Sequence, residues 1–90
     1  MDTLSDAEIT QRLASLPGWE RHGSRIRRTF SFDDFKGSMA FVNRVAELAE
    51  AADHHPDVDI RYSKVTLALS THDAGGLTGR DFDLAGKVQT

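Results

Sequence analysis

The chain contains no cysteine among its 90 residues. A disulfide framework, a thiolate zinc site and a cysteine nucleophile are therefore excluded, and we expect a cytoplasmic location because no disulfide calls for an oxidising compartment. The sequence also lacks the run of about twenty apolar residues that a membrane-spanning helix needs. No apolar segment follows a basic one near the start, so we expect neither a secretory signal peptide nor a membrane partner.

A strong charge of one sign is missing as well. The 11 basic and 14 acidic residues leave a net charge of −3, and a nucleic-acid partner is not expected because such binding usually needs a clustered basic surface. One local cluster departs from this balance: Arg21, Arg25, Arg27 and Arg28. It fits either an anion-binding patch or the solvent-exposed face of a strand, and the second arrangement is the commoner one.

The remaining composition is that of a folded globular protein. Hydrophobic residues make up 39% of the chain and charged residues 28%, which excludes the composition of a disordered segment. The 90 residues contain no internal repeat and no flexible linker. Residues 1–90 are therefore predicted to form a single domain around one core.

Two capping patterns predict the first and the third helix. Ser5 is followed three residues later by Glu8, and Thr78 is followed three residues later by Asp81. In each pair the first side chain caps the helix and the second bonds back to the cap residue. The first helix is expected to run up to Pro17-Gly18.

Hydrophobic periodicity predicts the other elements. Apolar residues recur at three- and four-residue steps over residues 35–52, which indicates a long helix that ends near Asp53. Apolar and polar residues alternate over 19–32 and again over 58–72, which indicates two β-hairpins. The predicted order is α-β-β-α-β-β-α, an α+β fold with three helices on one face of a four-stranded antiparallel sheet. Its open edges and uncovered face predict self-association.

The polar pair Ser63-Lys64 predicts the turn of the second hairpin. A turn centred there places six apolar residues on one face, in facing pairs: Tyr62 with Val65, Ile60 with Leu67, and Val58 with Leu69. The same register, continued outward, puts His55 directly opposite His72.

Three of the four histidines, His54, His55 and His72, flank this hairpin. Imidazole exchanges protons at little free-energy cost near neutral pH, so histidines that share a pocket can act as general acid and general base. Two other interpretations stay open at this point. Each histidine can simply bond at the end of a helix or strand, and three imidazoles with a carboxylate can bind zinc.

Four neighbouring residues allow both a structural and a functional interpretation. Asp81 stands where a capping box requires an acidic residue, and Glu50 can be an ordinary solvated residue of the long helix. Asp53 can support an imidazole through a hydrogen bond or end the helix as a polar residue. Trp19 can belong to the core or to the rim of a pocket.

One spaced motif connects these residues. Glu50 is followed after three residues by His54-His55-Pro56, after five more by Tyr62, after nine more by His72, and then by Asp81. This motif resembles the signature of the pterin-4a-carbinolamine dehydratases. Segments 17–19, 70–73 and 80–82 are similar to that family too, so the resemblance covers nearly the whole chain.

The resemblance implies an α+β domain that forms a homo-dimer or homo-tetramer and dehydrates 4a-hydroxytetrahydropterin to quinonoid dihydropterin. This reaction recycles the pterin of aromatic amino acid hydroxylases, and it needs no metal or bound cofactor because the pterin is the substrate. The resemblance assigns catalysis to His54, His55 and His72, with His55 and His72 as the acid/base pair and His54 assisting.

The resemblance also implies the residues around these histidines. The substrate-binding set is Asp53, Ser70, Thr71 and Asp73, and the supporting set is Glu50, Trp19 and Asp81. A different class of function stays open, because some members of this family also act as dimerisation cofactors of a transcription factor. The alternative to the enzyme is therefore a non-catalytic interaction or assembly module with the same fold.

Overall fold

The computed structural model describes residues 2–88 and contains the three predicted helices: α1 (Asp6–Leu13), α2 (Phe35–Ala52) and α3 (Gly79–Lys87). Ser5 caps α1 and Thr78 caps α3, each in a reciprocal capping box, as predicted. Asp34 caps α2 by accepting a hydrogen bond from the Gly37 N–H at 2.8 Å. The first helix stops earlier than expected, because the chain tightens into three-residue turns, such as Leu16 N–H to the Leu13 carbonyl at 3.0 Å, ahead of the proline.

Four antiparallel strands form one sheet in the order β1-β2-β4-β3. They are β1 (Glu20–His22), β2 (Arg25–Ser31), β3 (Asp57–Arg61) and β4 (Lys64–Leu69). The two hairpins join through the β2-β4 pair, so β1 and β3 form the edges. A one-turn 3-10 helix, His72–Ala74, lies between β4 and α3 and was not predicted from the sequence.

The core lies between the sheet and the helices. The central strands contribute Ile26, Phe30, Val65, Leu67 and Leu69, and all five are buried. They belong to one apolar cluster with residues of α2 and α3, including Phe41, Val45 and Leu84. The predicted α+β fold is confirmed. Within residues 2–88, no helix is both long and apolar enough to cross a bilayer.

The register of the second hairpin differs from the prediction by two residues. Its turn is Tyr62-Ser63 rather than Ser63-Lys64, and Ile60 pairs with Val65 instead of Leu67. Side chains of a strand alternate with a period of two, so both registers put the same residues on the same face. The predicted register was wrong because the apolar pattern cannot separate two such alternatives.

The prediction that His55 lies opposite His72 was wrong for the same reason. The β3-β4 pairing ends with Asp57 and Ala68, so both histidines lie beyond the paired strands. His72 lies in the 3-10 helix rather than in β4. The relative position of the two rings is therefore set by loops and not by the strand register.

The edge strand β3 is exposed along its whole length. Val58 and Ile60 lie on the face of the sheet that the helices cover elsewhere, yet they are 42% and 37% exposed to solvent. Tyr62, at the turn, is 68% exposed. The helices cover β2 and β4 and leave β3 largely open. The result is an apolar strip beside an unpaired strand edge.

The clustered arginines do not form one patch. Arg21 pairs with Asp6 of α1 at 2.8 Å. Arg25 and Arg27 share the open face of the sheet, whereas Arg28 alternates with them along β2 and is half-buried. The cluster is therefore a strand pattern, in which Arg25 and Arg27 line one surface cleft and Arg27 and Arg28 line another.

Candidate active site

A cleft of about 230 Å³ lies between the end of α2 and the segment that follows β4. Its lining consists of Asp53, His54, His55, Ser70, Thr71, His72, Asp73 and Arg80. The fold thus brings together the three histidines and the four substrate-binding residues that the sequence analysis named. Arg80 is the lining residue to which that analysis gave no role.

The end of α2 delivers two of the histidines. Asp53 adopts the left-handed conformation (φ 49°, ψ 44°) and its N–H donates a hydrogen bond to the Glu50 carbonyl at 3.2 Å. Aspartate tolerates this conformation better than most residues do. The turn leads His54 and His55 out of the helix, and Pro56 prevents the helix from resuming.

A short closed loop after β4 delivers the third histidine. The Thr71 N–H donates to the Gly76 carbonyl at 3.0 Å, and this bridge closes a loop that contains the 3-10 helix. Gly75 ends that helix at φ 75°, a left-handed conformation that glycine adopts without strain. His72 is exposed on this loop and lines the cleft.

His54 is buried and bonded to a buried carboxylate. Its Nε2 lies 2.6 Å from Oδ1 of Asp81, and the two side chains are 8% and 0% exposed. The Thr78 N–H donates to the other oxygen of Asp81 at 3.0 Å, which completes the capping box. Asp81 therefore fits both of its sequence interpretations. Because an ionised carboxylate only accepts hydrogen bonds, Nε2 of His54 carries the hydrogen and Nδ1 is the nitrogen left for other partners.

His55 has a carboxylate partner of its own. Its Nε2 bonds to Oε2 of Glu50, which lies on the last turns of α2. Both side chains are largely exposed, so the bond orients the ring and leaves it accessible. His72 differs from both, because its ring has no hydrogen-bond partner in the part of the chain that the structure describes. The three imidazoles thus occupy three different environments.

Trp19 belongs to the core and does not line the cleft. Its ring meets that of Phe30 edge to face, with the centroids 6.2 Å apart. The indole N–H is buried and finds no hydrogen-bond partner within residues 2–88. Of the two interpretations of Trp19, the structure favours the core residue.

Arg80 holds the loop at the end of α2. Its Nη2 donates to the main-chain carbonyl of Asp53 at 2.6 Å, across 27 residues of sequence. The available signal was its place in segment 80–82, which is similar to the dehydratase family. An arginine in the first turn of a helix is usually solvated, so spacing and periodicity gave no reason to expect this contact.

The arrangement of side chains is suited to proton transfer. Among the described residues, 2–88, no group of three or more histidine, aspartate or glutamate side chains is placed to hold a metal ion. Nε2 of His54 and Nε2 of His55 are already bonded to carboxylates. The chemistry that these groups offer is general acid/base catalysis.

Comparison with known proteins gives the family. The family model described as pterin 4 alpha carbinolamine dehydratase matches residues 2–90. The chain belongs to this family. A protein of Roseiflexus castenholzii named "Putative pterin-4-alpha-carbinolamine dehydratase" is 64% identical over 85 residues, which cover 94% of this chain and 91% of that protein. A protein of Acidobacterium capsulatum with the same name is 57% identical over 89 residues, with coverages of 99% and 97%.

Two solved structures share the fold of this pterin-4-alpha-carbinolamine dehydratase family member. A crystal structure described as a transcriptional coactivator/pterin dehydratase from Brucella melitensis has a TM-score of 0.93 and 34% identity, and the match covers 97% of this chain and 95% of that one. A pterin dehydratase-like protein described as a RuBisCO assembly factor in the alpha-carboxysome has a TM-score of 0.67 and 22% identity, with coverages of 79% and 84%. The second likeness concerns the fold alone.

Proposed function

We propose that this protein dehydrates 4a-hydroxytetrahydropterin to quinonoid dihydropterin, and so recycles the pterin of aromatic amino acid hydroxylases. The observation that carries the proposal is the convergence of His54, His55 and His72 on one cleft in a chain of the dehydratase family. The bond between C4a and its hydroxyl oxygen breaks, the hydroxyl takes up a proton and leaves as water, and N5 loses its proton as the N5–C4a double bond forms. No electron is transferred, so the step needs no redox cofactor, and an imidazole can supply the proton that makes the hydroxyl a leaving group. The proposal therefore includes no metal and no bound cofactor.

The accessible histidines form the proposed acid/base pair. His55 and His72 are both exposed on the cleft, so one can protonate the departing hydroxyl while the other removes the N5 proton. Glu50 orients the His55 ring and selects the nitrogen that carries the hydrogen. His54 is held more rigidly by Asp81 and assists from the inner wall of the cleft.

The proposed pterin contacts surround these rings. Asp53, Ser70 and Asp73 line the cleft and offer side-chain and main-chain groups to the polar edge of the pterin. The hydroxyl of Thr71 donates to Asp81, so in this proposal Thr71 offers its main-chain groups to the pterin. In this proposal the protein acts on a free pterin and has no nucleic-acid or membrane partner. Its proposed location is the cytoplasm, because a chain without cysteine needs no oxidising compartment.

The test is the decay of enzymatically generated 4a-hydroxytetrahydropterin, followed by stopped-flow absorbance with and without the protein. We expect catalysed decay that falls by about 10²-fold or more in His55→Ala and in His72→Ala, because general acid/base groups supply about 10²- to 10⁴-fold. His22→Ala is the matched control, since His22 lies on β1 and does not line the cleft. Decay at the spontaneous rate in the presence of the folded wild-type protein would contradict the proposal.

We also propose that the protein is a homo-dimer or homo-tetramer that associates through β3. The unpaired edge of this strand and the exposed Val58 and Ile60 support the proposal. Antiparallel pairing of two β3 strands about Ile60 sets Asp59 of one copy beside Arg61 of the other, so the charges on the open face complement each other. Such pairing also covers apolar surface that the monomer leaves in water.

A second candidate function is the interaction or assembly module, which the exposed apolar side of β3 favours. The two functions predict different results for His55→Ala. In the enzyme, His55→Ala abolishes turnover and leaves assembly intact. A His55→Ala variant that loses assembly while turnover is unchanged would favour the module.

A further inference from the structure

The carboxylate of Asp81 accepts more hydrogen bonds than the helix cap and the contact with His54 require. Asp81 is fully buried, and its oxygens accept from three donors: His54 Nε2 at 2.6 Å, the Thr78 N–H at 3.0 Å and the Thr71 hydroxyl at 2.8 Å. The first bond belongs to the proposed active site, and the second completes the helix cap. The bond from Thr71 is required by neither.

The hydrogen bonds of this buried cluster can run in one direction only. A threonine hydroxyl has a single hydrogen, and that of Thr71 goes to Asp81. The contact of 2.6 Å between the Thr71 and Thr78 hydroxyls must then use the hydrogen of Thr78. The order Thr78 to Thr71 to Asp81 leaves Oδ1 of the carboxylate facing His54.

This order determines which nitrogen of the His54 ring carries the hydrogen. Two donors on Oδ2 hold the plane of the carboxylate. Since an ionised carboxylate can only accept hydrogen bonds, Oδ1 accepts from the His54 ring, and the hydrogen of that ring stays on Nε2. A buried carboxylate that loses one of three donors is less well stabilised and less firmly oriented. Without Thr71, the ring of His54 therefore loses its fixed partner geometry.

Thr71 also connects the two sides of the cleft. It directly precedes His72, while His54 lies on the loop after α2. Both segments donate to the same carboxylate, one to each oxygen. The main chain of Thr71 is held separately by its bridge to Gly76, so the hydroxyl is not needed to close the loop.

We propose that Thr71 is a positioning residue of the active site, which acts through Asp81 to fix the orientation and the proton-bearing nitrogen of His54. The inference rests on the proposed dehydratase function and gives Thr71, whose hydroxyl is bonded to Asp81, a role that acts through His54. Loss of a supporting partner of a functional histidine typically costs about 10- to 100-fold in activity at metal-bound histidines, and we expect about tenfold here.

The test uses Thr71→Val, which keeps the shape and removes the hydroxyl, and Thr71→Ser, which keeps the hydroxyl. Thr66→Val is the matched control, because it breaks a similar hydroxyl pair, Thr29 to Thr66 at 2.8 Å, that lies outside the cleft. The first readout is kcat in the stopped-flow assay. The second is the Nε2–H signal of His54 in proton–nitrogen NMR of the substrate-free protein, assigned by its absence in His54→Gln.

We expect Thr71→Val to lower kcat about tenfold and to lose or shift the His54 Nε2–H signal, Thr71→Ser to retain both, and Thr66→Val to change neither. Thr71→Ala, which adds no strain, replaces the valine variant if that variant fails to fold. A valine or alanine variant with the wild-type signal and kcat would overturn the inference, as would a serine variant that loses as much as the valine one. If Thr71→Val changes the His54 signal but the wild-type protein does not catalyse dehydration, the proposed function would be refuted and the positioning role would stand.

Discussion

The guanidinium group of Arg80 donates a hydrogen bond to the main-chain carbonyl of Asp53 at 2.6 Å. The first turn of α3 therefore holds the histidine-bearing loop twice, through this bond and through the bond of the next residue, Asp81, to His54. A helix that is remote in sequence thus sets the wall of the cleft.

Replacing Arg80 by methionine should loosen the loop without emptying the space that the side-chain stem fills. We expect a loss of about 1 kcal/mol in the free energy of unfolding, the usual net value of one hydrogen bond, and a fall in turnover because the loop carries His54 and His55. Urea denaturation and the dehydration assay measure the two effects. Lys36→Met, an exposed change at the start of α2, is the control and should alter neither. Unchanged turnover in Arg80→Met would show that the loop holds its shape alone.

Glu50→Gln should impair catalysis and leave stability nearly unchanged. The bond from Glu50 to His55 is exposed, so its contribution to stability is within about 1 kcal/mol, but it orients a proposed catalytic ring. We expect kcat to fall severalfold at constant unfolding midpoint. Glu47→Gln lies one turn earlier on α2, is also exposed, and should behave as wild type. Equal kcat values for the two variants would remove Glu50 from the mechanism.

Asp81→Ala should be among the most destabilising single changes in the chain. It leaves three buried donors, on His54, Thr71 and Thr78, without their acceptor. We expect a loss on the order of 3 kcal/mol, because each buried unsatisfied group costs about 1 to 3 kcal/mol and the site relaxes in part. Chemical denaturation measures it, with Asp83→Ala, an exposed aspartate of the same helix, as the control. A loss equal to that of the control would mean that the network stabilises nothing.

Ile60→Lys should weaken self-association. The change places a charge in the exposed apolar strip of β3, where a second copy would have to bury it. Sedimentation or light scattering over a range of concentrations should show dissociation relative to wild type. His22→Lys adds the same charge on the opposite edge strand, β1, and should leave the oligomer intact. Dissociation by the β1 variant and not by the β3 variant would move the interface to the other edge.

Glu8 should make stability depend on pH in the acid range. The Ser5 N–H donates to Glu8 at 3.1 Å, and this backbone bond, followed by the Ser5 side chain, holds the pKa of Glu8 below its ordinary value of 4.5. Since the pKa is lower in the folded state, the stabilisation is present above the unfolded value and is lost as the pH falls through the folded value. Glu8→Gln keeps the capping pattern and cannot titrate.

We therefore expect wild type to lose more stability than Glu8→Gln when the pH falls from about 6 to about 3. Denaturation curves at both pH values measure the difference. A parallel loss in the two proteins would show that the carboxylate of Glu8 does not contribute.

Much of the fold, and most residues of the candidate site, could be predicted from local sequence patterns. Ser5 and Thr78 marked two helix starts, and the periodicity over residues 35–52 marked the third helix. Capping and periodicity act over three or four residues, so they are readable without knowing the fold. The motif that runs from Glu50 to Asp81 named every histidine of the cleft, although it could not tell a lining residue from a buried partner.

The sequence by itself thus determined the three α-helices, the four strands, their order and most of the residues that gather around the histidines. Only the tertiary structure decided the hairpin register, because pairing Ile60 with Val65 or with Leu67 buries the same face. It also decided that β3 is an exposed edge strand, because the alternation of apolar and polar residues is the same whether or not helices cover the strand. The bonds of Thr71 to Asp81 and of Arg80 to Asp53 span 10 and 27 residues, and such contacts arise only when α3 packs against both histidine-bearing loops.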